Sequence, residues 1–262
     1  MIKKIKFLKY LLKQQEIYLS NQNLPQHKKI DKSLGSQKGQ VEFLINNFFN
    51  YEKNGLKKNG YFVDLACADG VKYSNTYFLE KYLKWTGILI EPNPKFKDSI
   101  EKNRISNYVN YCIGQNNTDN IDFRIDNEML GGIVGDNFDN NTRGSNKESD
   151  SYETITLQTR TLESVLIEFN APNIIDYLSL DVEGAEEFIL KNFNFKKYKF
   201  KFLTIERPST YLDIKLDSEN YVQIHHSGMD VFYSHKEFID EINFNPNLHF
   251  KITPQKIKNT PS

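Results

Sequence analysis

The stretch Asp64-Leu65-Ala66-Cys67-Ala68-Asp69-Gly70 decides the fold, because it joins the apolar run YFVDL (61–65) to a segment with helical spacing near Tyr73. A strand, a tight turn and a helix form the first unit of an open α/β sheet, and such sheets bind ligands beyond the carboxyl ends of their strands. The turn carries two carboxylates instead of the Gly-x-Gly-x-x-Gly pattern that approaches a pyrophosphate. We therefore expect a cationic ligand here, with the capping of a turn as the structural alternative for each Asp.

Outward from this turn, short β-rich runs alternate with helical stretches. Strands are predicted at residues 61–65, 87–91, 108–112, 175–181 and 202–206, and helices at residues 73–83, 94–102, 161–170 and 184–191. Strands separated by helices indicate a parallel sheet. The last two runs, 221–225 and 230–235, are joined by a short turn and predict an antiparallel hairpin at the sheet edge. The pattern thus predicts a Rossmann-like α/β fold with a seven-stranded, mostly parallel sheet.

One long segment interrupts this alternation. Residues 114–155 are rich in Asn, Asp and Gly and include Gly131-Gly132. We predict a long, partly flexible loop above the sheet. Such a loop either carries substrate contacts or is an inert insertion.

Composition limits the partners. Lys plus Arg and Asp plus Glu both total 34, so no net charge draws the protein to nucleic acid or to a membrane, and a small or neutral substrate fits better. Cys67 and Cys112 have neither metal-ligand nor disulfide-framework spacing, which favours a cytoplasmic location. No apolar run approaches the roughly 20 residues that span a bilayer.

The chain is predicted to have two parts: a basic helical extension and linker over residues 1–35, and one α/β domain over residues 36–262. In the extension, Ile5, Leu8 and Leu12 have the spacing of an amphipathic helix and are surrounded by lysines. Such a helix docks on a membrane, packs on its own domain, or contacts a second copy in a homodimer. These alternatives stay open.

A second acidic position lies at Glu91, which ends the second predicted strand and precedes Pro92-Asn93. A carboxylate there can accept both ribose hydroxyls of NAD or of an adenosyl cofactor. Asp69 and Glu91 flank one strand–helix–strand unit, which favours a nucleoside cofactor. S-adenosylmethionine has a sulfonium, an ammonium and no phosphate, so it suits the acidic first turn.

Two further strands end in acids. Asp181 follows the strand ending at residue 180 and should point into the crevice, where it can act as a base, orient an acceptor or hold a metal. Glu206 ends the next strand. Neighbouring strands lie about 4.8 Å apart, so Asp181 and Glu206 can converge on one Mg²⁺ or Mn²⁺ ion. The alternative is that Glu206 pairs with Arg207 and shapes the pocket.

The turn of the final hairpin contains His225 and His226. A histidine at this edge can deprotonate an alcohol near neutral pH or bind the metal. The alternative is an ordinary polar turn.

Taken together, these residues resemble the FkbM family of methyltransferases over residues 36–240. The matching stretches are residues 36–40, 61–70, 73–76, 85–93, 159–162, 180–186 and 229–233. The resemblance implies a methyltransferase domain with strand order 3-2-1-4-5-7-6, acting usually on oxygen and often on sugars of surface polysaccharides or secondary metabolites. It also implies that the cofactor site includes Asp64, Asp69, Gly70, Ser74, Asn75 and Glu91, to which we add Ala66, Pro92 and Asn93. The family turn usually has Gly-Ala where this chain has Ala66-Cys67, and the alanine methyl narrows the approach to the backbone.

Three functions follow as hypotheses. The first is an S-adenosylmethionine-dependent O-methyltransferase that holds a sugar of a surface polysaccharide or nucleotide-sugar precursor beneath residues 114–155, with Asp181 and one of His225 or His226 assisting deprotonation, and with or without a divalent metal. The second is a nicotinamide-dependent oxidoreductase, favoured by Glu91 and opposed by the missing glycine pattern. The third is a non-catalytic Rossmann-like binding module, which the acids at three strand ends oppose.

Overall fold

The computed structural model describes residues 57–140 and 152–239, together with residues 40, 41, 43 and 44. The predicted basic helix at the N-terminus, its homodimer contact and the domain boundary at residue 35 lie outside these residues and stay predictions. The strands are β1 Tyr61–Leu65, β2 Thr86–Ile90, β3 Asn107–Val109, β4 Cys112–Ile113, β5 Asn120–Arg124, β6 Thr154–Arg160, β7 Ile174–Leu180, β8 Lys199–Glu206, β9 Tyr221–Ser227 and β10 Asp230–His235.

The α-helices of the described part are α1 Tyr77–Leu83, α2 Lys97–Asn103, α3 Leu162–Glu168, α4 Glu186–Leu190 and α5 Thr210–Ser218. Short 3₁₀ turns cover Pro94–Phe96, Glu128–Leu130 and Lys236–Phe238. Helix α5 was not predicted; it begins after Ser209, whose hydroxyl accepts the backbone N–H of Leu212 at 3.1 Å. None of the helices placed by the structure has the length and apolar character needed to cross a bilayer.

Seven strands form one sheet in the order β3-β2-β1-β7-β8-β10-β9. All neighbours are parallel except β10, which is antiparallel to β8 and β9. The seven-stranded, mostly parallel α/β sheet is confirmed. The strand numbers in this order differ from those of the predicted order 3-2-1-4-5-7-6. The reason is that β4, β5 and β6 lie between β3 and β7 in the chain and form a separate sheet. The terminal hairpin also differs in detail, since β9 extends to Ser227 and only Gly228 and Met229 connect it to β10.

The central strands are buried on both faces, as is usual for parallel strands covered by helices. In β1 the successive residues Phe62 and Val63 are both 0% exposed, although their side chains point to opposite faces. Gly87 of β2 lies opposite Phe62 in the register. A Cβ atom at residue 87 would come within 2.2 Å of the Phe62 carbonyl oxygen, so close backbone approach requires glycine at this position.

The predicted loop over residues 114–155 is the main correction to the fold. Strands β5 and β6 pair in antiparallel register, and β6 also pairs with β4 to give a three-stranded sheet. Ile121, Ile155 and Leu157 from these strands pack against the main core. Asn and Asp dominate the composition of this segment, but the alternating apolar residues within it still bury one face and so form strands.

Candidate active site

The carboxyl ends of β1, β2, β7 and β8 meet at one edge of the sheet, because these strands are parallel neighbours. This edge brings together the predicted residues Asp64, Glu91, Asp181 and Glu206. The first turn, at residues 66–70, lies between β1 and α1. The site divides into a pocket beside Glu91 and a cluster of acids around Asp181.

Glu91 is buried, with 4% of its surface exposed. One carboxylate oxygen accepts the backbone N–H of Ala68 at 2.9 Å, and the other accepts the N–H of Asn93 at 2.8 Å. Burial raises the pKa of Glu91 to about 7, and the two N–H groups oppose that rise. Each oxygen keeps a further acceptor site for a hydroxyl group.

The pocket beside Glu91 has mostly apolar walls. The walls include Ala66, Ile90, Pro92, Asn93, Ile113, Ile133, Val182 and Ala185. Four of the predicted cofactor residues, Ala66, Glu91, Pro92 and Asn93, therefore line it directly. Its free space is about 30 Å³, which holds about two water molecules, so a nucleoside needs nearby side chains or the covering residues 128–133 to move outward.

The first turn has an unusual backbone. Ala66, Ala68 and Gly70 have positive φ angles of 60°, 46° and 76°. An alanine in the left-handed region costs roughly 1 kcal/mol or more, so the surrounding structure has to hold this shape. At residue 66 the alanine thus adopts a backbone conformation that glycine adopts without cost.

Asp69 and Ser74 have structural roles in the loop after β1. The Asp69 carboxylate accepts the N–H groups of Val71 and Lys72 at 2.9 and 2.7 Å. The Ser74 hydroxyl accepts the N–H groups of Thr76 and Tyr77 at 3.2 and 3.0 Å. Asp69 therefore caps the turn, which is the structural interpretation of this residue.

Beneath this loop lies Arg104, which was not predicted to belong to the site. Its guanidinium donates to the Gly70 carbonyl at 2.8 Å, to the Thr76 hydroxyl at 2.9 Å and to Glu80 at 3.0 Å. The Thr76 hydroxyl in turn donates to Asp64 at 2.6 Å. Burial raises the pKa of Asp64, while Thr76 and the Arg104 charge oppose the rise. An arginine that follows a short helix has no sequence signal for this role.

Asn75 is buried beside β7. Its side-chain N–H donates to the Ser179 hydroxyl at 3.2 Å, whereas its carbonyl oxygen has no hydrogen-bond partner among the residues that the structure places. A buried acceptor without a donor costs about 1–3 kcal/mol. A bound molecule with an N–H group would remove that cost.

The acid cluster consists of Asp181, Glu183 and Glu206, whose carboxylate oxygens lie within 4.8 Å of one another. Burial, followed by the charge of Glu206, raises the pKa of Asp181 to about 9. Burial and Glu206 also raise the pKa of Glu183 to about 7. Arg207 donates to Glu206 at 2.9 Å and to Glu183 at 3.2 Å, and it forms a further ion pair with Asp139. Glu206 thus lies close to Asp181 and also pairs with Arg207, so the structure has both of the arrangements considered for this residue.

The two predicted histidines lie apart from this cluster and on opposite faces of β9, since successive strand residues alternate. The His225 ring stacks on Phe43 with centroids 3.9 Å apart, and burial lowers its pKa to about 4. His226 is hydrogen-bonded to Gln223, and burial lowers its pKa as well. Neither belongs to the group of carboxylates within 4.8 Å.

Comparison with known proteins matches the chain to a family and to solved structures, among them two methyltransferases. The model of the methyltransferase FkbM domain matches residues 64–245, which is more than half of the chain. The methyltransferase FkbM of Methylobacillus flagellatus KT is 13% identical with a TM-score of 0.44, over 76% of this chain and 48% of that one, so this chain spans about half of its length. The precorrin-6y C5,15-methyltransferase of Geobacter metallireducens GS-15 is 11% identical with a TM-score of 0.38, over 78% and 90%. No curated protein sequence matches the chain.

Replacing Arg104 with methionine should lower the free energy of unfolding by about 3–5 kcal/mol, because Glu80 would remain as an unpaired buried charge. Urea denaturation measures this change. Arg124→Met is the matched control: its ion pair with Asp126 is about one-third exposed, and its loss should cost less than about 1 kcal/mol. Equal effects of the two substitutions would contradict the central role of Arg104.

The raised pKa of Asp181 should lower the free energy of unfolding as the pH rises from 7 to 9. The folded protein keeps a proton on Asp181 up to about pH 9, whereas the unfolded chain releases it near pH 4. The unfolded state therefore binds fewer protons in this range, and the free energy of unfolding falls with increasing pH. Asp181→Asn should remove about 2 kcal/mol of this fall, measured by urea denaturation with a chelator at pH 7, 8 and 9.

The control for this pH dependence is Asp122→Asn, which alters an exposed carboxylate on β5. It should keep the fall seen in the unmodified protein. A fall that persists unchanged in Asp181→Asn would show that Asp181 is ionised at neutral pH.

Proposed function

This chain belongs to the FkbM methyltransferase family, and we propose that it transfers a methyl group from S-adenosylmethionine to the oxygen of a sugar hydroxyl. The sugar would belong to a surface polysaccharide or to a nucleotide-sugar precursor. The observation that carries the proposal is the buried Glu91 carboxylate, which lines an apolar pocket and is oriented by two backbone N–H groups.

The chemistry of the residues in the first pocket fits this cofactor. Glu91 would accept the ribose hydroxyls, and the apolar walls from Ile90, Ile113 and Ile133 would surround the adenine ring. The unpaired carbonyl oxygen of Asn75 would accept an N–H from the ammonium group. S-adenosylmethionine supplies a methyl group already activated by its sulfonium. The protein therefore has mainly to bind, orient and exclude water.

The acid cluster would receive the proton that leaves the acceptor hydroxyl. Glu183 lies within 4.8 Å of Asp181 and Glu206, and its pKa is near neutrality, which suits proton transfer at physiological pH. We propose that Glu183 is the primary acceptor of this proton, and that Asp181, which keeps its own proton at neutral pH, orients the acceptor hydroxyl. His225 and His226 stay candidate bases, although stacking on Phe43 restricts His225.

Calorimetry with S-adenosylhomocysteine and with NAD⁺ tests the cofactor. We expect binding of the former, weakened about 10- to 100-fold by Glu91→Ala, which corresponds to the loss of hydrogen bonds to a charged group. Glu101→Ala, which changes an exposed acid on α2, is the control and should bind as the unmodified protein does. Binding of NAD⁺ instead would assign Glu91 to an oxidoreductase, and binding of neither would favour a non-catalytic module.

A divalent ion at Asp181 and Glu206 stays a prediction. Carboxylate oxygens are the ligands that Mg²⁺ and Mn²⁺ prefer, and three of them converge here. A Mn²⁺ titration monitored by electron paramagnetic resonance should show binding that weakens from pH 9 to pH 7, because protons compete for Asp181. Loss of the bound signal in Asp181→Asn supports the ion, and absence of binding in the unmodified protein rejects it.

A further inference from the structure

A second cavity, with a volume of about 560 Å³, adjoins the pocket beside Glu91. The segment of residues 182–186 separates the two: Val182 and Ala185 line the first pocket, whereas Gly184 and Glu186 line the second. Residues 137–139 form another wall. This volume falls within the roughly 300–1,000 Å³ that small-molecule sites occupy.

The cavity reaches the acid cluster through Arg207. This side chain lines the cavity and also donates to Glu206 at 2.9 Å and to Glu183 at 3.2 Å. Its ion pair with Asp139 holds the wall of residues 137–139 at the end of β8. A molecule in the cavity would therefore lie next to the carboxylates proposed to receive the proton.

The walls combine aromatic surface with uncharged polar groups. The rings of Phe138 and Phe188 meet edge to face with centroids 5.5 Å apart. Gln115 and Asn137 contribute amides, and Ser209 contributes a hydroxyl. Amides and hydroxyls both donate and accept hydrogen bonds, and aromatic rings cover apolar C–H surface, so the combination suits a ring that carries several hydroxyl groups.

The charges of the cavity disfavour an anion. Arg207 is already paired with three carboxylates. Among the other groups that line the cavity, Asp139, Glu186 and Glu187 are acidic and Lys191 is basic. Three acids against two bases leave the cavity with a slight excess of negative charge, so a phosphate or carboxylate there would be disfavoured.

We infer that this cavity binds the methyl acceptor, and that the acceptor is a polyhydroxylated molecule without phosphate or carboxylate groups. The inference rests on the proposed function and narrows it, because a nucleotide-linked sugar would bring a diphosphate into this acidic cavity. A neutral sugar or an amino sugar fits the same walls.

Saturation-transfer NMR on the full chain tests the inference with four probes: methyl α-glucoside, glucosamine, glucose 6-phosphate and glucuronate. We expect signal transfer to the first two and not to the last two. Asn137→Trp, which places an indole at the cavity wall, should abolish the transfer. Asn173→Trp makes the same change on the exposed residue just before β7, at the opposite end of the sheet, and should keep it.

Calorimetry with S-adenosylhomocysteine on the same samples separates the two proposals. If the unmodified protein does not bind S-adenosylhomocysteine, the proposed function fails. If all three proteins bind it, the inference alone is overturned by any of three results: no sugar probe binds, glucose 6-phosphate binds as well as methyl α-glucoside, or Asn137→Trp leaves the sugar signal unchanged.

Discussion

The buried guanidinium of Arg104 is the interaction on which the site depends. The loop after β1 contains non-glycine residues with positive φ angles, among them Ala66 and Ala68, and such a loop does not keep its shape by itself. Arg104 reaches it from the end of α2 and binds the Gly70 carbonyl and the Thr76 hydroxyl, while Glu80 neutralises its charge. The guanidinium donates four hydrogen bonds, to Glu80, Gly70, Ser74 and Thr76, which offset the burial of its charge and hold the strained turn beside Glu91.

The second feature of the site is the concentration of buried acids. Burial and, to a smaller extent, the charge of Asp64 raise the pKa of Glu91, and burial together with neighbouring carboxylates raises the pKa values of Asp181 and Glu183. Acids arranged in this way lower the stability of the folded protein at high pH, and groups with such shifted pKa values are typical of sites that bind cations or transfer protons. Arg207 limits the repulsion without removing it.

The segment between β3 and β7 supplies walls for both cavities. Its strands pack as a small sheet on the core, and its residues form walls of both cavities: Ile133 faces the pocket beside Glu91, and Phe138 faces the larger cavity. The ion pair between Asp139 and Arg207 joins the segment to the end of β8. Cofactor and acceptor would thus be enclosed by one insertion, on either side of residues 182–186.

The sequence by itself determined the α/β class, the central strands and the strand-end positions of Glu91, Asp181 and Glu206, because apolar runs and turn residues are local signals and parallel strands share one edge. It did not reveal the small sheet, whose polar composition concealed the alternation of its apolar residues. Only the tertiary structure decided that Arg104 holds the first turn and that His225 stacks on Phe43. Each of these contacts joins residues far apart in the chain, and such pairs are selected by packing rather than by local sequence pattern.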